Sequence, residues 1–397
     1  MKQKRVLMIA QSFYEFDPRI LRQASVLVKN NYCVDIICLN HNNSPKIEKI
    51  GGVNVYRVMN KFEQDQVILY IINSFIFLLK AFLKSLTFFP KKRPDVVQIH
   101  NMPDYLVFSA MFYKILGTPV ILDIHDLTVE LFKEKWGEKK FKRLKPLLTL
   151  SERLSVKFAN KVITVSDQCG EKLIDRGLPK DKLTIVMNVP DLENFEYDKD
   201  RKFEKLVNGL HLVYHGTIAE RYGIHNIIKV LPLLIDKLPK MVFHLIGNIE
   251  SEYGIYIKKL VSDLSLENNV HFEKPILNNK ISEKLKSIDI GIAIADETEY
   301  SNFGIPTKVF EYTSVGLPVI VTDLKAIRSI YRESSIVLVD PGNSKYIADE
   351  IVRMAFNPEF RRTLSMHANE DLEKISYSIM SSRYLNLIKS ISQNKPK

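Results

Sequence analysis

Short runs rich in β-branched residues recur along the first half of the chain with helix-like stretches between them: 6–10, 34–39, 96–100, 120–123, 161–165 and 183–187. Such alternation predicts a parallel sheet with helices packed on it. A polar, charge-mixed stretch follows from Asn188 to Asn208, carrying Asp191, Glu193, Asp198, Asp200, Arg201 and Lys202, and it reads as a linker between domains. The pattern then restarts at 210–215, 241–246, 290–294, 319–322 and 336–339. Two doubly wound α/β domains are therefore expected. Sheets of this kind bind ligands beyond the carboxyl ends of their strands, so two facing domains place a site in an interdomain cleft. Ile379, Tyr384, Leu387, Ile388 and Ile391 recur at helical intervals, which predicts a closing amphipathic helix over 377–391.

Composition supports that picture and narrows the chemistry. The 397 residues exceed the roughly 250 to 300 at which a single core stops growing. Three cysteines, Cys33, Cys38 and Cys169, are too few for a disulfide framework and match no zinc spacing, which fits a reducing cytoplasm. The apolar run after the first charged residues is too short for a secretory signal. A net charge of +11 favours an anionic partner. Nucleic acid is not expected, because no zinc finger, aromatic RNA-binding pattern or basic repeat is present. No G-x-G-x-x-G follows a predicted strand, which disfavours a dinucleotide oxidoreductase.

Two clusters carry candidate chemistry. His215-Gly216-Thr217-Ile218-Ala219-Glu220-Arg221-Tyr222-Gly223 follows a predicted strand and precedes a helix-like segment, 227–235. Gly216 lets backbone approach an anion, the helix start offers free N–H groups, and Arg221 can grip a diphosphate bidentately. Pro306-Thr307-Lys308-Val309-Phe310-Glu311-Tyr312 opens a second helix before Gly316-Leu317-Pro318-Val319. Lys308 and Glu311 lie three apart and share a helix face, the lysine suited to phosphate and the glutamate to ribose hydroxyls.

In this order, and with Asp17-Pro18-Arg19, Asp123-Ile124-His125-Asp126, Val162-Ile163-Thr164-Val165-Ser166 and the Asn188 turn before them, these clusters resemble the retaining GT-B glycosyltransferases of family 4. The resemblance spans nearly the whole chain and implies the GT-B fold: an acceptor-side domain over 1–190, a nucleotide-sugar domain over 205–375 and a closing helix over 376–397. It implies donor binding by Gly216, Thr217, Arg221, Lys308 and Glu311. The role of His125 beside the donor sugar, and of Arg221 and Lys308 in stabilising the departing diphosphate, follow from the same resemblance. Asp126, Asp17 and Arg19 are acceptor-side candidates. Phe303 stands where the family has the first glutamate of its Glu-x7-Glu motif, and Thr217 and Arg221 alter its usual basic pair.

The implied reaction moves a sugar, with retention, from a nucleotide-sugar to a saccharide or lipid-linked acceptor, in the building of surface polysaccharide or glycoconjugate. It uses no metal or other cofactor. The acidic run Asp296-Glu297-Thr298-Glu299 lacks the spacing of a metal site. The remaining histidines, His100, His211, His244 and His271, are expected as satisfied structural side chains. Alternative readings are a non-catalytic sugar-nucleotide-binding partner of a polysaccharide synthase and a sugar-nucleotide epimerase of similar fold. Finally, 67–89 is nearly continuous in apolar residues and ends in Pro90-Lys91-Lys92-Arg93. Its two lysines argue against spanning, and it is expected as a helix covering the sheet, with two readings open: a helix wholly buried there, or one whose outer face contacts a membrane surface through 67–93.

Overall fold

The computed structural model describes residues 3–41, 44–60, 62, 66–190, 195–206, 209–276 and 278–393. It divides into two compact units, one of residues 1–188 with 378–397, the other of residues 189–377. Asp191 and Glu193 of the expected linker lie outside the described residues.

The first unit contains β1 (Arg5–Ala10), α1 (Pro18–Lys29), β2 (Cys33–Asn40), β3 (Ile47–Ile50), β4 (Val53–Asn60), α2 (Val67–Leu86) and β5 (Val96–His100). A 3-10 helix, Asp104–Ala110, leads into α3 (Met111–Ile115), followed by β6 (Val120–Ile124), α4 (Thr128–Trp136), α5 (Glu138–Phe158), β7 (Lys161–Thr164), α6 (Asp167–Asp175) and β8 (Leu183–Ile185). The strands form one sheet in the order β3-β4-β2-β1-β5-β6-β7-β8, with only β3 antiparallel to its neighbour. The six strands expected from apolar runs are all present. Val6 through Ala10 and Val120 through Ile124 are buried because helices cover both faces of a parallel sheet. Strands β3 and β4 form a hairpin across Gly51-Gly52, whose φ of +55° and +86° suit glycine.

The second unit holds β9 (His211–His215), α7 (Ile224–Val230), β10 (Val242–Ile246), α8 (Glu252–Asp263), β11 (Val270–Glu273), α9 (Asn278–Lys286), β12 (Ile290–Ala293), α10 (Thr307–Ser314), β13 (Val319–Thr322), α11 (Lys325–Arg328), β14 (Val337–Val339), α12 (Ser344–Phe356) and α13 (Pro358–Glu373). Its sheet is parallel throughout, in the order β11-β10-β9-β12-β13-β14. The helix expected over 227–235 is instead α7, ending at Val230, with a 3-10 turn Leu231–Leu233 after it. Pro232 has no N–H to continue the ladder.

The structure places two segments whose packing the sequence pattern left open. The described part of the polar stretch before β9 is packed on the second unit: Phe195 is buried and Arg201 donates to the carbonyls of Leu285 and Ile288. The last helix, α14 (Tyr377–Gln393), returns to the first unit. There Tyr384 Oη donates to Gln98 Oε1 at 2.6 Å and Lys4 Nζ donates to Ser392 Oγ at 2.9 Å. Its apolar stripe buries Met380, Tyr384 and Ile388.

Candidate functional site

In the first unit the candidates gather at the carboxyl ends of β1, β5 and β6. Asp17 caps α1, accepting from the Arg19 N–H at 3.2 Å, and Pro18 at the first helical position fits that start. The same carboxylate holds the Arg19 guanidinium bidentately, at 2.9 Å for both contacts. Arg19 Nη1 also stands 3.5 Å from Asp126 Oδ2. The guanidinium of Arg19 thus joins the two acidic candidates. Burial opposes ionisation of Asp17, yet Arg19, with His125 and His100 nearby, holds its carboxyl below the usual range. A pocket of about 160 Å³ adjoins this group, lined in part by Gln11, Ser12, Tyr70 and Asn101.

His125 lies beneath these residues. Register pairs His100 of β5 with Asp123 of β6, and His125 follows two residues later. His100 Nδ1, His125 Nε2 and Asp123 Oδ2 stand 3.2 to 3.4 Å from one another, with the two imidazoles stacked at 5.5 Å. Among the described residues this is a group spaced closely enough to hold a metal ion. However, Asp123 Oδ2 already accepts from Gln23 Nε2 at 2.7 Å and Gln98 Nε2 at 3.1 Å. The donor set is therefore crowded by N–H groups whose positive ends would oppose a cation there. The carboxylate stays ionised despite its burial because the histidines and amides surround it. Burial pushes His125 down to about 4, with Asp123 resisting, so this imidazole is neutral at physiological pH. Its Nδ1 is buried and has no hydrogen-bond partner among the described residues. Asn101 fixes the loop, accepting the His125 N–H at 2.9 Å and donating to Asp126 O and Asp104 Oδ1.

Histidine 100 is buried as a strand histidine should be, but it is also part of the His125 network, as are Asp123, Gln98 and Gln23. Gln98 and Gln23 were a signal that sequence reasoning passed over, while Asp123 was quoted beside His125, and His100 named as structural, without the link between them. His211 and His244 pair at 3.0 Å, and His244 Nδ1 lies 2.6 Å from Glu273 Oε1, away from the candidate residues of β9 and α10.

The second unit brings Gly216, Lys308 and Glu311 together. Gly216 leaves β9 at φ +114°, with Thr217 exposed beside it. A Cβ there would lie 3.8 Å from Lys308 Nζ, a measure of how closely the lysine approaches the turn. Lys308 and Glu311 both lie on α10, which is buried from Lys308 through Ser314. The ammonium sits 3.9 Å from the Tyr214 ring centroid and 4.7 Å from that of Tyr222. Burial pushes Lys308 down to about 7; Glu311 resists and Arg221 adds to the depression. Glu311 Oε2 is 3.1 Å from His215 Nε2, a neighbour that sequence reasoning quoted but assigned no role.

Arg221 corrects the expected strand, glycine turn and helix. A 3-10 turn, Glu220–Tyr222, intervenes, so Arg221 is exposed on that turn with its guanidinium 4.8 Å from the Tyr222 ring centroid. Gly223, at φ +60°, starts α7, because a Cβ there would meet Ile294 O at 2.4 Å. The acidic run after β12 is engaged structurally in part: Asp296 Oδ1 accepts from Asn226 Nδ2 at 2.8 Å.

Comparison with known proteins identifies the family and the fold. Residues 17–188 fit the glycosyl transferase 4-like domain and residues 209–357 fit the family described as glycosyl transferases group 1. A capsular polysaccharide biosynthesis glycosyltransferase of Staphylococcus aureus, CapM, is 24% identical over 74% of this chain and 76% of its own. Sucrose-phosphate synthase of Thermosynechococcus elongatus superposes with a TM-score of 0.78 at 14% identity, over 98% of this chain and 99% of its own. Anabaena HepE in complex with UDP-glucose gives 0.72 at 15% identity, over 97% and 99%. The family matches account for most of both sheets, the fold is that of GT-B glycosyltransferases, and the chain belongs to the group 1 glycosyltransferases.

Proposed function

We propose that this glycosyltransferase takes a sugar from a nucleoside-diphosphate donor and passes it, with retention, to a saccharide or lipid-linked acceptor in the cytoplasm. The observation carrying the donor assignment is Lys308. A buried ammonium beside a left-handed glycine turn, held over two aromatic rings, is matched by a phosphate oxygen. Arg221, exposed on the neighbouring turn, supplies a second cation, and Glu311 accepts from ribose hydroxyls. HepE, bound to UDP-glucose, has the same fold.

As the bond from the sugar to the diphosphate breaks, negative charge grows on the leaving phosphate and positive charge on the anomeric carbon. Lys308 and Arg221 stabilise the former electrostatically, and the protein supplies no nucleophile of its own. His125, neutral and held by Asp123, is assigned to the surroundings of the donor sugar. No metal is assigned a part in this scheme, a reading supported by the amide donors already on Asp123 Oδ2. The free cysteines fit the cytoplasm, and CapM, by its name, serves capsular polysaccharide synthesis. Surface polysaccharide is the product class proposed here.

Thermal stabilisation by UDP-, GDP-, ADP- and CDP-sugars tests the reading, since a ligand that binds only the native state raises stability. One nucleotide is expected to raise the melting temperature, and Lys308→Ala to abolish the rise. An equal rise in Lys308→Ala would remove the lysine from the donor site. Analysis of the product anomer by proton NMR then tests retention.

A further inference from the structure

Helix α2 buries only a narrow line of residues: Val67, Tyr70, Ser74, Phe77, Ala81 and Ser85, spaced three and four apart. Ser74, Ala81 and Ser85 are small, and most of the large apolar side chains point the other way. Ile68 is 72% exposed, and Ile72, Phe75, Leu79 and Leu83 are also exposed. By length and mean hydropathy, 1.9, the helix could cross a bilayer, but only 28% of its apolar window is buried. A protein surface rarely leaves so much contiguous apolar area in water without a use for it.

The inner line rules out spanning. Gln11 Nε2 donates to Ser74 Oγ at 2.9 Å, and Tyr113 Oη donates to Ser85 O at 2.7 Å. Phe77 and Ala81 are fully buried. These contacts hold α2 on the sheet, so only its outer face is available.

The face continues onto α3 and α5. The connections β4 to β5, β5 to β6 and β6 to β7 all step across the sheet in one direction, so right-handed crossovers put α2, α3 and α5 on the same side. The Phe89 and Phe112 rings, 5.5 Å apart, join the end of α2 to α3, and Phe108 and Phe158, 5.1 Å apart, join the preceding 3-10 helix to α5. On α5, Leu147, Leu150 and Leu154 form an exposed stripe, while Glu152 on the inner side accepts from Arg176 Nη1 at 2.9 Å. Segments 67–93 and 138–158 together carry twelve lysines and arginines. Against them stand Glu138 and the buried Glu152.

We propose that the outer faces of α2, α3 and α5 form one docking surface for a bilayer bearing anionic headgroups, with the helices lying in the interface. Apolar side chains enter the headgroup boundary, and the basic flanks, including Lys91, Lys92, Arg93, Lys139, Lys140 and Arg143, meet lipid phosphates. Charge selects this occupant over a second copy of the chain, because self-association would bring two strongly basic faces together. The inference is independent of the donor-site assignment.

Flotation of the full chain with vesicles of phosphatidylcholine alone, or with phosphatidylglycerol added, tests it. Binding is expected only with the anionic lipid and is expected to weaken with salt. Replacing Ile72, Phe75 and Leu79 by Glu removes it, with Trp136 fluorescence showing an unchanged fold. A second variant, with Lys139, Lys140 and Arg143 replaced by Gln, loses about fivefold per charge. Failure of the wild-type protein to float with anionic vesicles overturns the proposal, and so does unchanged flotation of either variant. A solution dimer that the Glu variant dissociates, with no lipid binding by either protein, would assign the face to a second copy.

Discussion

The candidate residues of the two units handle buried charge in opposite ways. In the first, the charged candidates are answered nearby: Asp123 by two histidines and two glutamine amides, Asp17 by Arg19, and Arg19 in turn by Asp126. In the second, Lys308 is buried with aromatic faces about it, and the nearby carboxylate of Glu311 offsets only part of the cost. A site whose charges are already matched is suited to neutral ligands such as sugar hydroxyls. A site that keeps a cation under-compensated is suited to an anion. The contrast also predicts opposite responses when the charge is removed, because breaking a matched network leaves partners stranded while deleting an under-compensated ion relieves a cost.

The largest expected effect is in the matched network. Asp123→Asn keeps the shape but turns an amide N–H toward the histidines or toward the donors from Gln23 and Gln98. It should cost the first unit about 3 to 5 kcal/mol. Trp136, the sole tryptophan, lies in that unit and reports its urea unfolding separately. An unchanged midpoint would mean that Asp123 is not ionised in the folded protein.

Next comes the cation. Lys308→Ala should lower kcat/KM for transfer or donor hydrolysis by about 10² to 10³, the range seen when one preorganised charge-stabilising donor is lost. Lys308→Met should at the same time raise the melting temperature of the unliganded protein. Activity loss accompanied by destabilisation would place Lys308 in the matched class with Asp123 and break the comparison.

How legible each unit is in the sequence follows the same physics. Strands buried on both faces declare themselves as continuous apolar runs, and all eleven such runs became strands. The others did not. Ile47–Ile50 and Val270–Glu273 are edge strands with exposed polar positions, and β4 mixes the polar Asn54 and Arg57 with apolar residues and grows more exposed from Val58 to Asn60. Lys308 and Glu311 were legible together because helix periodicity is local. The coupling of His100 to His125 was not, since it depends on the register of β5 against β6 across 25 residues. Arg221 was placed in the right segment but on the wrong local structure, because the 3-10 turn that holds it has no periodic signature. The docking of α14 on the first sheet is likewise a matter of topology, which its amphipathic pattern does not encode.

The contrast has a pH signature. Lys308 loses its proton in the folded protein near 7, whereas the unfolded chain keeps it to about 10.5. Its contribution to stability therefore rises with pH between those values, and its cost is greatest below 7. Lys308→Met should accordingly stabilise more at pH 6 than at pH 9. Donor binding needs the ammonium, so affinity should fall as pH rises above 7, by up to about tenfold per unit. A bound diphosphate favours the charged form, so binding at pH 8 should take up a proton. Calorimetry in buffers of different ionisation enthalpy measures that uptake, and none at pH 8 would show that Lys308 is already charged in the free protein.

The smallest effect concerns the glycine that brings backbone to this cation. At Gly216 an added Cβ meets only Lys308 Cε at 3.7 Å and Nζ at 3.8 Å, both ordinary contacts, so packing does not forbid alanine. The backbone does, since φ of +114° is strained for any residue with a Cβ. Gly216→Ala should therefore cost about 1 kcal/mol of stability in the second unit, with little change in Trp136 unfolding. It also sets a methyl group where a phosphate would approach the lysine, so donor affinity should fall further than stability alone explains. Equal donor affinity in Gly216→Ala and wild type would mean that the phosphate reaches Lys308 from the side away from the turn. The donor assignment would then rest on α10 rather than on β9 and its glycine.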